Sequence, residues 1–240
     1  MHERAGLTVV TWNAQGSHGL DIAAAAAALT TFDPHLILMQ EIQRGQVGAL
    51  RVAMQAADAR WRFKHWPVKV PAEGLGILSM VPLAEVRESV LAHPWSFWDW
   101  RRRVMVECSV ELGERRVRCI NVHLGAGVPV EERVRQARTV CDRAAGAVLI
   151  AGDLNAEPHS EELREFGARG WQDAERILHA ASRRPSTNWP AGPRVAGPTQ
   201  RLDYVLVHDA VEVAEAFVPA NWEDWAALSD HLPVVARLRV

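Results

Sequence analysis

Runs of apolar residues of strand length punctuate this chain, and their spacing sets the expected architecture. LTVVTW (7–12) and LILMQ (36–40) flank an alanine-rich stretch, 23–28, with Asp21 placed to cap it. Alanine is the strongest helix former, and an aspartate before the first turn can accept its unsatisfied N–H groups. The segment therefore reads as strand, helix, strand, with parallel strands buried on at least one face. A second helical stretch follows at about 45–57. The plan recurs further on: RCINVHL (118–124) is a strand, 130–145 has helical periodicity, and AVLIAGD (147–153) is another strand. Segments 75–80, 103–112, 202–207 and 234–240 also read as strands, and Gly113-Glu114 predicts a hairpin joining 104–112 to 115–123. The proline- and glycine-rich segment 185–198 reads as a long surface loop, a kind of element that often carries function. No linker or composition break divides the chain, so one domain over 1–240 is expected, with mixed sheets and helices outside them.

Composition narrows the class. Of 240 residues, 48% are hydrophobic and 23% charged, which suits a soluble protein with a sizeable core. No apolar run approaches the roughly 18 residues of a membrane span. The opening MHERAGLTVVTWN lacks the pattern of a secretory signal, so a cytoplasmic location is expected, and a monomer with it. Cys108, Cys119 and Cys141 show no CxxC spacing, which argues against a disulfide framework or a thiolate zinc site and for buried apolar roles. The net charge of −2 argues against a surface that coats nucleic acid indiscriminately, while leaving room for a local basic patch.

The informative feature is where the apolar runs stop. Asn13 ends LTVVTW, Glu41 ends LILMQ, His123 lies at the end of CINV, and Asp153 with Asn155 ends VLIAG. Asp203 and the Asp230-His231 pair stand at or near the start of apolar strands. In open sheets, ligands collect at strand ends, where loops converge on one crevice. Acids, amides and histidines gathered there suit a hard cation plus a phosphate, since Mg²⁺ prefers oxygen donors and needs one or two carboxylates. Each residue alone also has a plain structural reading: a turn-forming Asn, a solvated Glu, a capping Asp, a core His.

Their combination and order resemble the endonuclease/exonuclease/phosphatase superfamily. The matching segments are TWNAQG (11–16), LMQEI (38–42), GLGILS (74–79), NVHL (121–124), GDLNAEP (152–158), RLDYVLV (201–207) and SDHLPV (229–234). The resemblance implies a four-layer α/β/β/α sandwich of two packed mixed sheets, with the site at one edge. It also implies a Mg²⁺-dependent phosphoesterase, with Mn²⁺ as a substitute. Glu41, Asn13 and Asp230 would hold the metal; Asp153 and Asn155 would serve the attacking water. His231, oriented by Asp203, would bind the phosphoryl oxygens. His123 stands where exonuclease III-type members carry tyrosine, and resembles the deoxyribonuclease I and sphingomyelinase branches; it would act near the phosphate or as an acid toward the leaving group.

Substrate choice should lie in the loops. HPWSFWDWRRR (93–103) interleaves Trp98 and other aromatics with Arg101 and Arg102, side chains that can stack bases and neutralise phosphates, or simply pack at a strand entry. Trp222 is a second candidate substrate wall. Nucleic acid is the first expected substrate, hydrolysed by a nuclease; a small or lipid-linked phosphoester is the second. A catalytically silent binding domain is the third reading, disfavoured because each expected polar position is retained. Arg133 and Gln136 share one helix face, and the favoured role for them is bracing that helix against the site loops.

Overall fold

The computed structural model describes residues 5–62, 72–92, 103–179, 185–190 and 196–240. The first half runs β1 (Gly6–Asn13), α1 (Ile22–Thr30), β2 (Leu36–Gln43), α2 (Arg44–Ala53), β3 (Asp58–Arg62), β4 (Glu73–Ser79), β5 (Leu83–Ala92) and β6 (Arg103–Leu112). After it come β7 (Arg115–His123), α3 (Val130–Arg143), β8 (Leu149–Asp153), α4 (Glu161–Ala168), β9 (Trp171–Asp173) and α5 (Ala174–Leu178). The chain closes with β10 (Asp203–His208), β11 (Glu212–Phe217), α6 (Trp222–Ala226) and β12 (Val234–Arg239).

These strands build two sheets. One has the order β11-β12-β1-β2-β4-β3, the other β5-β6-β7-β8-β10-β9. Each is mixed: β1 and β2 pair in parallel in the first, β7 and β8 in the second, and the remaining pairs are antiparallel. A strand buried on both faces reads as a continuous apolar run, which is why these four strands stand out in the sequence. Alternate side chains of the two sheets meet in a shared core that includes Leu7, Val9, Leu36, Leu38, Cys119, Leu149 and Val205. On the outer face of the first sheet, α1 and α2 bring Ala25, Leu29, Val47 and Leu50 onto Val10, Trp12, Ile37 and Met39. On the outer face of the second, α3 and α4 bring Ala137, Val140 and Phe166 onto Ile120, Val122, Ile150 and Leu206. The result is the four-layer α/β/β/α sandwich.

Local chemistry fixes several boundaries. Asp21 caps α1 by accepting from the Ala24 N–H at 3.0 Å, as its position predicts. Gly113 takes φ 60° at the β6–β7 turn, where a side chain would be strained. Gln136 accepts from the Gly125 N–H through Oε1 at 2.9 Å, and Arg133 donates to Glu162 at 2.7 Å, so this helix face ties α3 to the loop after β7 and to α4. The segment expected to be one surface loop is partly inside: Thr187, Asn188 and Trp189 are buried, and Asn188 bridges to both Gln200 and His231.

One contact spans the two sheets near the ends of β2 and β7. The Gln40 amide donates to Asn121 Oδ1 at 2.8 Å, and the Asn121 amide donates to the carbonyls of Met39 and Gly76, each at 3.0 Å. Both side chains are fully buried. The Gln40 NH₂ group and both ends of this contact at Asn121 are thereby bonded, while Gln40 Oε1 has no partner among the described residues; the contact fixes the register of one sheet against the other.

Candidate functional site

The polar residues singled out in the sequence converge on one edge of the sandwich. Asn13, His123 and Asp153 are the last residues of β1, β7 and β8; Asp203 is the first of β10, which runs antiparallel to β8 and pairs Asp203 with Asp153. Strand direction accounts for the mixture of ends and starts: β10 and β12 run opposite to the strands they flank. Glu41 differs from expectation in detail. It lies inside β2, at a bulge between Met39 and Ile42, with φ 50°. Bulges re-aim a side chain, and a non-glycine residue held at positive φ costs on the order of 1 kcal/mol or more.

Asp153 is the hub. Its Oδ2 accepts from the Asn13 amide at 3.0 Å and lies 3.5 Å from His123 Nε2 and 3.9 Å from His231 Nε2. Its Oδ1 accepts from the Asn155 N–H at 2.9 Å, an arrangement that holds Asn155 at φ 48°. The Asn155 amide donates to the Leu124 carbonyl at 3.0 Å. Glu41 Oε1 lies 3.9 Å from His123 Nε2, on the more open side of the cluster. Asp230 arrives by another route, accepting from the Gln15 amide at 2.7 Å. Ser229 ties this segment to β1 by donating to the Asn13 carbonyl at 2.7 Å while accepting from the His231 N–H at 3.1 Å.

His231 is clamped on both ring nitrogens. Nδ1 lies 2.8 Å from Asp203 Oδ2, and Nε2 lies 2.8 Å from the side-chain amide of Asn188. The Trp12 indole donates to the His231 carbonyl at 2.9 Å. Burial disfavours the charged ring, but the carboxylates of Asp203 and Asp153 outweigh it and raise the His231 pKa to about 10. Burial, followed by repulsion from Asp203, pushes Asp153 up to about 7, with His231, Asn13 and Asn155 opposing. The two views of His231 pull apart: an amide nitrogen facing Nε2 suits the neutral ring, whereas an imidazolium needs the Asn188 oxygen turned toward it. Amide orientation follows the hydrogen-bond network, so the ring's charge selects the rotation.

Asn188 and Gln15 are site residues that sequence reasoning missed. Asn188 lies in a segment read as surface loop, and its backbone is held by Gln200, whose carbonyl accepts from the Asn188 N–H at 2.9 Å. The polar-aromatic step Thr-Asn-Trp inside a proline-rich stretch was the available signal. The start of β10 is secured independently: buried Arg201 donates to both oxygens of Asp173 at 3.0 Å.

Among the described residues, Asp153, Asp203 and His231 form the compact group of metal-binding side-chain types, with ligand atoms within 4.8 Å of one another. That compactness follows largely from the His231–Asp203 hydrogen bond, which occupies Nδ1. The donor set as a whole, carboxylates of Glu41, Asp153 and Asp230 with the Asn13 amide, fits a hard divalent cation. Burial, with Asp203 second, raises the Asp153 pKa, and a cation beside that carboxylate would oppose the shift. Trp222 is half-buried and packs against Trp189 with ring centroids 6.0 Å apart; the Trp189 backbone N–H donates to the Asp230 carbonyl at 3.0 Å. Trp98, Arg101 and Arg102 lie outside the described residues.

Two packed mixed sheets with an acidic–histidine cluster at one edge define an α/β fold of the deoxyribonuclease I type. The chain belongs to the endonuclease/exonuclease/phosphatase family, whose model matches residues 10–231. No curated protein matches it. Among solved structures, an endonuclease/exonuclease/phosphatase from Beutenbergia cavernae DSM 12333 is 21% identical with a TM-score of 0.77, covering 99% of this chain and 72% of its own. D. rerio TDP2, complexed with a single-strand DNA product, is 16% identical with a TM-score of 0.72, covering 98% of this chain and 99% of its own. The mannosyl-6-phosphatase Bt3783 of Bacteroides thetaiotaomicron VPI-5482 is 16% identical with a TM-score of 0.75, covering 98% of this chain and 100% of its own. Among the described residues, no helix is long and apolar enough to cross a membrane.

Proposed function

We propose that this protein is a divalent-metal-dependent phosphoester hydrolase that uses an activated water. The carrying observation is the Asp153 carboxylate, with Asn13, His123 and His231 ranged around one oxygen at 3.0 to 3.9 Å. Glu41, with Asn13 and Asp230, would hold Mg²⁺ or Mn²⁺. When bound, the cation supplies neutralisation of the non-bridging phosphoryl oxygens. Asp153 orients the water and takes its proton, its carboxylate held by the Asn13 amide and the Asn155 N–H. Asn155 holds the water or a phosphoryl oxygen. His231, its Nδ1 held by Asp203, shares its Nε2–H between the Asn188 amide oxygen and a phosphoryl oxygen as charge develops. His123 stands beside the phosphate or acts as an acid toward the leaving oxygen.

Two substrate classes fit this chemistry. A nucleic-acid phosphodiester is supported by the likeness to TDP2 with its DNA product and by the aromatic–arginine sequence around Trp98, Arg101 and Arg102. A small phosphoester is supported by the likeness to a mannosyl-6-phosphatase and by the net charge of −2. The test is turnover of single-stranded DNA, RNA, bis-p-nitrophenyl phosphate and p-nitrophenyl phosphate with Mg²⁺ or Mn²⁺, before and after chelator. Chelator-sensitive turnover, lost by orders of magnitude in Asp153→Ala and His231→Ala, is expected. Near-normal activity in either folded variant overturns the assignment.

A further inference from the structure

Asp203 and His231 reach each other from different halves of the molecule. Asp203 opens β10 in the second sheet, whereas His231 lies shortly before β12 in the first, so no strand pairing sets the distance between them. Pairing with β8 places Asp203 beside Asp153, but that pairing stays within the second sheet. The carboxylate itself is lightly held: Oδ2 bonds the His231 ring, and Oδ1 has no hydrogen-bond partner among the described residues. Asp203 is thus bonded through its side chain to the ring that it orients. Its backbone has to be fixed from elsewhere.

Thr187 supplies that hold, and it does so for both partners. It is fully buried. Its Oγ1 accepts from the N–H groups of Leu202 and Asp203 at 3.0 and 3.2 Å. A hydroxyl oxygen has two lone pairs and can serve both donors, and the β-branched side chain restricts the direction in which it points. On the other side, the Thr187 carbonyl accepts from the N–H of Leu232, the residue after His231, at 2.7 Å. The Thr187 N–H donates to the Gln200 carbonyl at 2.7 Å, and the next residue, Asn188, sets its side-chain amide 2.8 Å from His231 Nε2. A side-chain bond to the second sheet and a main-chain bond toward the first therefore meet in one residue.

We propose that Thr187 is a positioning residue of the site: its hydroxyl fixes Asp203 while its carbonyl fixes the chain beside His231, which keeps the pair at bonding distance across the junction of the two sheets. The inference rests on the hydrolase reading above, in which His231 serves the phosphoryl oxygens. Removing the hydroxyl alone leaves both main-chain bonds in place. Asp203 then loses the partner of its N–H, and the carboxylate drifts relative to the ring.

Thr187→Val, which keeps the branched shape, and Thr187→Ser, which keeps the oxygen, test it in two ways. With bis-p-nitrophenyl phosphate and Mg²⁺ or Mn²⁺, Thr187→Val should lose about 10- to 100-fold in kcat, the scale of a small misplacement of a functional group, with KM changed by about twofold at most. Thr187→Ser should recover most of that loss. In chelator, the downfield proton resonance of His231 Nδ1–H, identified by its absence in His231→Gln, should shift or broaden in Thr187→Val and return in Thr187→Ser. An unmoved resonance in folded Thr187→Val, an unchanged kcat, a loss carried by KM, or an equal loss in Thr187→Ser each overturns the role. Should Thr187→Val fail to fold, Thr187→Cys, which puts a weak acceptor in the hydroxyl's place, is held to the same outcomes. If the wild type turns over no probe with either metal, the hydrolase reading fails, and the metal-free resonance still decides whether Thr187 holds the pair.

Discussion

The side-chain amide of Asn188 lies 2.8 Å from Nε2 of His231, on the opposite side of the ring from the Asp203 carboxylate. The histidine is thus positioned from two directions, by the first residue of β10 and by a buried residue of the segment that precedes it. Removing the amide leaves Nδ1 held and Nε2 free to swing. Asn188→Ala should lower kcat by about 10- to 100-fold, the range typical of residues that orient a functional histidine, with a much smaller change in KM. Unaltered kcat in a variant with native circular dichroism would show that Asp203 suffices.

Asp203→Asn keeps the shape of the pair and removes its charge. The imidazole then loses the partner that fixes its tautomer and raises its basicity. Turnover should fall by about 10²- to 10⁴-fold, in a variant whose circular dichroism shows the native fold. A variant equally active across the pH range would remove Asp203 from the proposed mechanism.

Proton linkage gives a test independent of turnover. In chelator, Asp153 is pushed up to about 7 by burial and by Asp203, and His231 to about 10 by carboxylates that outweigh its burial. Both folded-state pKa values lie above the unfolded ones, so the folded state retains protons that the unfolded chain has released. Stability from Asp153 is present below roughly pH 4 and lost toward pH 7; that from His231 is present below roughly pH 6.5 and lost toward pH 10. The metal-free melting temperature should therefore decline as pH rises through both windows, and Asp153→Asn should flatten the lower one. An identical profile in the variant would contradict the crowded-carboxylate picture.

Gly152 precedes Asp153 at φ 150°, and a Cβ there would overlap the Val122 carbonyl of the neighbouring parallel strand. The obstruction is backbone, which cannot step aside without parting β7 from β8 where they carry His123 and Asp153. Gly152→Ala should cost about 3 kcal/mol or more in a urea titration. An unshifted midpoint would mean that the strands tolerate separation.

Much of the frame was legible because β1, β2, β7 and β8 are apolar on both faces. The elements that escaped notice lack such a signature. In β5, LAEVRESVLA, charged residues such as Arg87 and Glu88 interrupt the apolar pattern on an edge strand, and β9 is three residues long. The cluster was legible for a related reason: polar residues that end apolar runs are conspicuous, and strand topology then brings them together. Its finer geometry was not. The bulge that turns Glu41 depends on pairing with β4, and the contact of Asn188 with His231 joins residues 43 apart through a segment whose composition suggests only a loop.

The Gln40–Asn121 contact gives the location of this cluster a further meaning. Glu41 follows Gln40 in the first sheet, and His123 lies two residues beyond Asn121 in the second, so the same dovetail that aligns the two halves also sets the spacing between the groups that would flank the phosphorus. The distance from one side of the reaction to the other is a property of the interior, shielded from whatever happens at the rim. Rim residues that hold none of these groups, such as 157–160, can then change, recasting what is accepted without retuning what is done to it.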